Sequence, residues 1–384
     1  MKHNSIKFIY QYIALFFLIL RPYCGICKIP TKEISLEERA ARMIIVGMPG
    51  VELTPRSTII NDITKRKIGG VILFESNVVS AAEKKLSPEQ LAKINFKERL
   101  TKLCTDIREL ADYPIIISID QEGGLVNRLK ERYGFVPSVT QQYLGEQDDE
   151  FTTRRYARST AEQLYELGIN TNFAPCVDVN INPECPVIGR NGRSFSQDTT
   201  KVVKHASYVI EEHHKKGVIT AIKHFPGHGS SLKDTHLGIS DVTETWQDSE
   251  LMPYKKLLVN AKEVNSMVMV SHVFNGQIDK KYPATLSYKT VTELLRKKIG
   301  WNGVVVTDDM HMKAITDHYT DVEAVTLTIN AGVDMLIYSS SLNSKKNEYV
   351  TETIIDIIVS QVKKGLISEN RISESYDRIS RLLL

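Results

Sequence analysis

The stretch "KHFPGHG", residues 223–229, sets Lys223, His224 and His228 around a proline and two glycines, and Asp234 and His236 follow in "SSLKDTH". A lysine, several histidines and an aspartate this close together can donate, accept and transfer protons, which suits acid–base work on a polar substrate. The i, i+4 histidines also have the spacing of a zinc-binding helix. Pro226 and Gly227 between them forbid that helix, so no metal or other cofactor is expected. Similar polar clusters recur: Asp120, Glu122 and Arg128 in "IDQEGGLVNR", Asp178 in "APCVDVN", His272 in "SHV", and Asp308 with Asp309 in "TDD". Taken singly, Asp178 or Asp309 reads equally well as a helix cap, and "DTH" as a solvated loop.

Each cluster closes an apolar run. These runs occupy 43–48, 69–75, 114–120, 169–175, 218–225, 266–273, 303–309 and 333–339, and they are apolar on both faces and rich in β-branched residues. Between them lie amphipathic stretches, 154–168, 200–217 and 290–300 among them, each closing on glycine as a helix C-terminus tends to. Strands of this kind separated by helices form a parallel sheet covered by helices. Eight such units predict an α/β fold of the (β/α)8 TIM-barrel type, in one catalytic domain over residues 34–384. An open doubly wound sheet is the rival, but "VGMPGVEL" after the first run lacks the GxGxxG spacing of a dinucleotide loop. Residues 78–100 read as an insertion after the second strand. Barrels of this type place their sites at the C-terminal ends of the strands, where all the clusters fall. Because unpaired buried charge is costly, so many ionisable residues at strand tips imply a shared polar pocket.

Composition narrows the class further. With 384 residues, 42% hydrophobic and 25% charged, the chain can bury a large core. Its net charge of +3 is small, and acids interleave with the bases, so no nucleic-acid partner is expected. Lys2 and Lys7 precede the apolar run of residues 8–20, which has the length of a signal-peptide core. Residues 1–27 are therefore expected to be a signal peptide or membrane-targeting segment, uncleaved or lipidated at Cys24 or Cys27 in the alternative, with export to the periplasm or cell envelope, or a cytoplasmic location where that segment is not functional. That segment is the expected membrane contact, and the protein is expected to be a monomer. After its removal Cys104, Cys176 and Cys185 remain, so at most one disulfide can form, with Cys176 and Cys185 the nearer pair.

With no phosphate cradle and no metal spacing, a pocket of acids and bases suits hydroxyl-rich ligands, and its carboxylates can act as nucleophile or base in glycoside chemistry. The motifs "IDQEGGLVNRL", "GINTNFAPCVDVN", "GRSFSQD", "KHFPGHGSSLKDTHLGI", "PATLS" and "GWNGVVVTDDMHM" together resemble glycoside hydrolase family 3, in particular the single-domain bacterial β-N-acetylglucosaminidases of the NagZ type. That resemblance runs from about residue 37 to the end of the sequence. It implies a retaining double displacement in which Asp308 matches the nucleophile. It also implies an acid/base histidine in place of a second carboxylic acid, matched by His236, with Asp234 as its orienting partner. Imidazole, with an ordinary pKa of about 6.5, can protonate a leaving oxygen and later deprotonate water near neutral pH. The sugar-contacting positions match Asp120, Arg128, Arg193, Lys223 and His224, with Lys223 and His224 expected to point into the pocket. Residues 229–237 are expected to move, bringing His236 in when substrate is bound.

The implied substrate is a small carbohydrate with terminal β-linked N-acetylglucosamine, from peptidoglycan or muropeptide fragments. A transferase or phosphorylase on the same site, or a non-catalytic glycan-binding barrel, are the alternatives. Three departures from the family pattern stand out. Leu125 occupies a position that is commonly arginine, the proline expected after "DTHLGI" is missing in "SDV", and "GRNGRSF" is longer than usual.

Overall fold

Eight parallel strands close on one another in chain order to form a barrel, β1 pairing with β8. The computed structural model describes residues 34–259, 265–339 and 350–384, so the expected targeting segment 1–27 lies outside the described residues. The strands are β1 (Ile44–Gly47), β2 (Gly70–Leu73), β3 (Ile116–Ile119), β4 (Thr171–Asn172), β5 (Ile219–Phe225), β6 (Ser266–Val270), β7 (Val304–Asp309) and β8 (Met335–Tyr338). They lie inside the eight apolar runs of the sequence, and every residue of β2, β3, β5, β6 and β8 is buried, as strands covered on both faces must be. The fourth is much shorter than its run. Both amide atoms of Asn172 turn to the backbone of Gln121, and Pro175 has no N–H to extend the ladder.

The main outer helices are α1 (Leu36–Ala41), α2 (Phe96–Leu110), α3 (Glu150–Leu167), α4 (Thr199–His214), α5 (Met252–Val259), a π-type helix at Lys289–Ile299, α6 (Asp321–Ala331), α7 (Val350–Lys363) and α8 (Glu369–Leu382). Gly168 closes α3 at φ 81°, a left-handed turn that glycine adopts without strain. The expected insertion is shorter than its sequence suggested. Residues from Phe96 onward already form α2, whose N-cap Asn95 accepts from Glu98 N, and only the stretch before Asn95, with two short helical turns, is extra. No helix among the described residues is long and apolar enough to cross a membrane.

At the opposite end of the barrel from the clusters, Asp334 enters β8 fully buried. Its oxygens accept from Arg296 at 2.6 Å, Arg371 at 2.8 Å and Arg378 at 3.2 Å. Burial pushes its carboxyl up, but the three guanidiniums more than offset this and hold it below the usual range. Removing one member of such a set leaves uncompensated buried charge. Asp334→Ala is therefore expected to cost about 3–5 kcal/mol of unfolding free energy, measured by urea denaturation, with activity per folded molecule unchanged. An unaltered midpoint would show that the cluster contributes no net stability.

Candidate active site

A cavity of about 320 Å³ opens at the C-terminal end of the barrel, lined among others by Phe74, Glu75, Asp120, Arg128, Phe173, His236, Asp308 and Asp309. Asp308 and Asp309 come from the last two positions of β7, and His236 from the long connection after β5. The structure thus brings the two residues expected to do chemistry to one cavity, Asp308 from a strand tip and His236 from a connection.

Asp308 accepts from the Asp309 backbone N–H at 2.8 Å. Burial pushes its carboxyl up, but the fields of His224, His272 and His236 outweigh it and hold the group well below the usual carboxylate range. It is an anion at any working pH. Asp309 instead ties the β7 tip to the end of β8. Its Oδ1 accepts from His311 N at 3.0 Å and Ser339 N at 3.1 Å, and its Oδ2 accepts from the Ser339 hydroxyl. The pair at the mouth is Asp234 and His236. Asp234 Oδ1 accepts from the His236 N–H at 2.8 Å and lies 2.7 Å from its Nδ1, which leaves Nε2 as the free ring nitrogen.

Behind the wall runs a relay of ion pairs. Asp120, at the tip of β3, accepts from Lys223 Nζ at 2.8 Å and from Arg128 at 3.3 Å. Burial raises its carboxyl, and Lys223 and Arg128 bring it below its ordinary value. Lys223 also lies 2.6 Å from Glu122, which Arg193 grips with two N–H donors at 2.7 and 2.9 Å. A second Arg193 contact reaches His224 Nε2 at 3.1 Å, while His224 Nδ1 sits 2.6 Å from Asp178.

Asp120 and Arg128 therefore line the cavity, whereas Lys223, His224 and Arg193 do not. Lys223 and His224, expected to point into the pocket, have their polar ends taken up by Glu122, Asp120 and Asp178. Glu122 and Asp178, noticed in the sequence but given no role, tie this relay together. Burial opposes ionisation of Asp178, yet His224 holds it at about 2.

The expectation for residues 229–237 also changes in detail. Gly229, Ser230 and Ser231 are buried, and Asn182 grips Gly229 O and Ser231 O at 3.0 Å each. From Leu232 onward the connection is largely exposed, the buried Thr235 apart. His228, buried, lies 2.8 Å from the Ser231 hydroxyl and 3.2 Å from that of Thr235, between the members of the dyad. Burial and His224 lower it to about 4, so it is neutral.

Cys176 and Cys185, the nearer pair in sequence, are both free and buried. Cys176 Sγ donates to Asp178 at 3.1 Å and Cys185 Sγ to His228 O at 3.5 Å. Cys176, Asp178 and His224 place donor atoms within 4.8 Å of one another, close enough to share a cation, but here they bond each other. Glu75 is a cavity residue that the sequence motifs did not single out, although it closes the second apolar run. It accepts from Lys130 at 2.8 Å and from Arg132 and Tyr133 at 3.1 Å. Leu125, in the departure from the common arginine, is 69% exposed.

Residues 35–382 match the family model described as glycosyl hydrolase family 3 N terminal domain. Beta-hexosaminidase A of Pseudoalteromonas piscicida is 30% identical over 381 aligned residues, covering 95% of this chain and 59% of its own length. Beta-hexosaminidase of Haemophilus influenzae is 29% identical over 299, covering 77% of this chain and 78% of its own. Among solved structures, a glycoside hydrolase family 3 beta-N-acetylglucosaminidase from Paenibacillus sp. superposes with a TM-score of 0.79 at 30% identity, covering 91% of this chain and 62% of that one. The chain thus spans about three fifths of the Pseudoalteromonas and Paenibacillus proteins.

Proposed function

The chain belongs to glycosyl hydrolase family 3, and from that premise we propose that it is a retaining exo-β-N-acetylglucosaminidase acting on terminal β-linked N-acetylglucosamine. The observation that carries this reading is that Asp308, from the β7 tip, and the Asp234-backed His236, from the connection after β5, line one cavity. In the first step the Asp308 carboxylate attacks the anomeric carbon. The glycosidic C–O bond breaks as His236 Nε2–H protonates the departing oxygen, leaving a glycosyl ester on Asp308. In the second, the now neutral Nε2 takes a proton from water, whose oxygen attacks the same carbon and frees Asp308, so two inversions give net retention. Asp120 and Arg128 hold the outer hydroxyls, Asp120 as a charged acceptor. Lys223, Glu122, Arg193 and His224 fix Asp120 from behind.

Peptidoglycan or muropeptide fragments are the proposed source of the sugar. The apolar run of residues 8–20 supports export, which mapping of the mature N-terminus tests. The central test is hydrolysis of aryl β-N-acetylglucosaminide against aryl β-glucoside, each with and without phosphate. Turnover of the first in water, with β-anomeric sugar as initial product, is expected. Phosphate-dependent release of a sugar phosphate would replace hydrolase by phosphorylase, and no turnover of either would leave only a binding barrel.

A further inference from the structure

Beneath the loop that carries Asp234 and His236 lies a carboxyl that the chemistry above leaves unused. Glu250 sits in the short turn Asp248–Leu251 ahead of α5 and is 1% exposed. No cation pairs with it among the described residues. One oxygen accepts from Gly229 N–H at 3.1 Å and the other from Gln247 N–H at 3.3 Å. A Cβ on Gly227 would fall 2.7 Å from that of Glu250, so this side chain packs on both glycines that flank His228. From the other side a Cβ on Gly229 would fall 1.8 Å from Val179 O, which leaves the turn no slack. His228 then reaches Thr235 at 3.2 Å, while Leu232 and Leu237 around it are 64% and 75% exposed.

We propose that Glu250 is a positioning residue for the acid/base loop: its carboxyl clamps the Gly227–Gly229 turn, and through that turn His228 holds Thr235, and with it the dyad, at the cavity mouth. This rests on the proposed glycosidase reading and assigns it a part that the motifs did not contain. The clamp lies in a setting without compensating charge. Asp178 faces it from the loop after β4, the Tyr254 phenol from α5 and Ser230 from the loop itself, with neutral His228 on the turn between. Burial pushes the carboxyl up to about 7, and Asp178 adds to this. A folded value above the ordinary one means that the stability this group contributes is present at low pH and lost as pH rises from about 4.5 through about 7. Glutamine, which keeps an oxygen for Gly229 N–H, mimics the protonated acid.

The test exploits the leaving group. A dinitrophenyl β-N-acetylglucosaminide needs no proton to depart, whereas a β-linked N-acetylglucosamine disaccharide needs one in full. Glu250→Ala is expected to lower kcat/KM for the disaccharide by about 30-fold or more while the dinitrophenyl substrate stays within about 3-fold, a fraction of what general acid catalysis supplies. Glu250→Gln is expected to restore the disaccharide rate and to remove the fall in melting temperature between pH 5 and 8 that Glu250 contributes. Parallel loss on both substrates, or no loss on either, overturns the assignment. Amide hydrogen exchange of residues 229–238 gives a readout independent of turnover. Faster exchange in Glu250→Ala that glutamine reverses supports the clamp, and unchanged exchange refutes it. Should the wild-type protein cleave neither sugar, the glycosidase reading falls, and exchange alone then judges the clamp.

Discussion

Asp308→Asn is expected to lower kcat by roughly 10⁴–10⁶-fold, since loss of a covalent nucleophile removes the step on which the other groups act. The substitution is nearly isosteric, and its amide oxygen can still accept from the Asp309 N–H, so the β7 tip keeps its hydrogen bond. Only charge and nucleophilicity change. Burial opposes the carboxylate here, and the histidines around it maintain the anion. Because the net field favours the anion, the neutral amide is expected to lower stability, and the melting curve separates that effect from the catalytic one. Steady-state turnover of an aryl β-N-acetylglucosaminide, with melting curves alongside, reads both. A companion variant, Asp308→Ala, opens room for azide to attack the anomeric carbon from the vacated side, giving an α-glycosyl azide. More than about a tenth of wild-type turnover in the asparagine variant, far from the loss a nucleophile commands, would remove Asp308 from the mechanism.

His236→Ala comes next, with an expected loss of about 10²–10⁴-fold on a disaccharide, the usual contribution of a positioned acid or base. The signature is kinetic. With a dinitrophenyl leaving group the first step proceeds without a proton donor while the second still lacks its base, so glycosyl-enzyme accumulates and rapid mixing shows a burst of phenolate. Asp234→Asn tests the partner. The carboxylate 2.7 Å from Nδ1 keeps the proton there in the neutral ring and stabilises the imidazolium formed during turnover. An amide can hydrogen-bond in the wrong sense and fix the opposite tautomer. The asparagine variant should therefore lose much of what the alanine variant at 236 loses. Absence of a burst in His236→Ala, with equal losses on both substrates, would mean that this imidazole moves no proton in the reaction.

The barrel was legible because its cause is local. Runs of β-branched residues apolar on both faces, alternating with glycine-closed amphipathic helices, leave few other ways to bury the chain. Asp120 and Asp308 were legible for a related reason: a tip position in a closed ring of parallel strands fixes direction toward a common centre, whatever the loops do, whereas His236, on the connection beyond β5, was implied only by the family resemblance. Boundaries were less so. Nothing local says that Asn172 turns its amide to Gln121 and cuts β4 to two residues, or that α2 begins inside the stretch read as insertion.

What only the tertiary structure decided is pairing across long sequence separations. Arg193 meets Glu122 and Lys223 meets Asp120, separations of 71 and 103 residues. Because a buried charge is tolerated only beside its opposite, those meetings engage the charged ends of Lys223 and Arg193 beside a cavity that Asp120 and Arg128 line. Likewise Cys176 and Cys185 bond Asp178 and His228 instead of each other, and Glu250, unremarkable in "DSELMP", comes to rest under the loop. Residue type and spacing named the chemistry, since they limit which groups can act. The division between groups that touch substrate and groups that hold them depends on three-dimensional charge compensation, which no stretch of sequence contains.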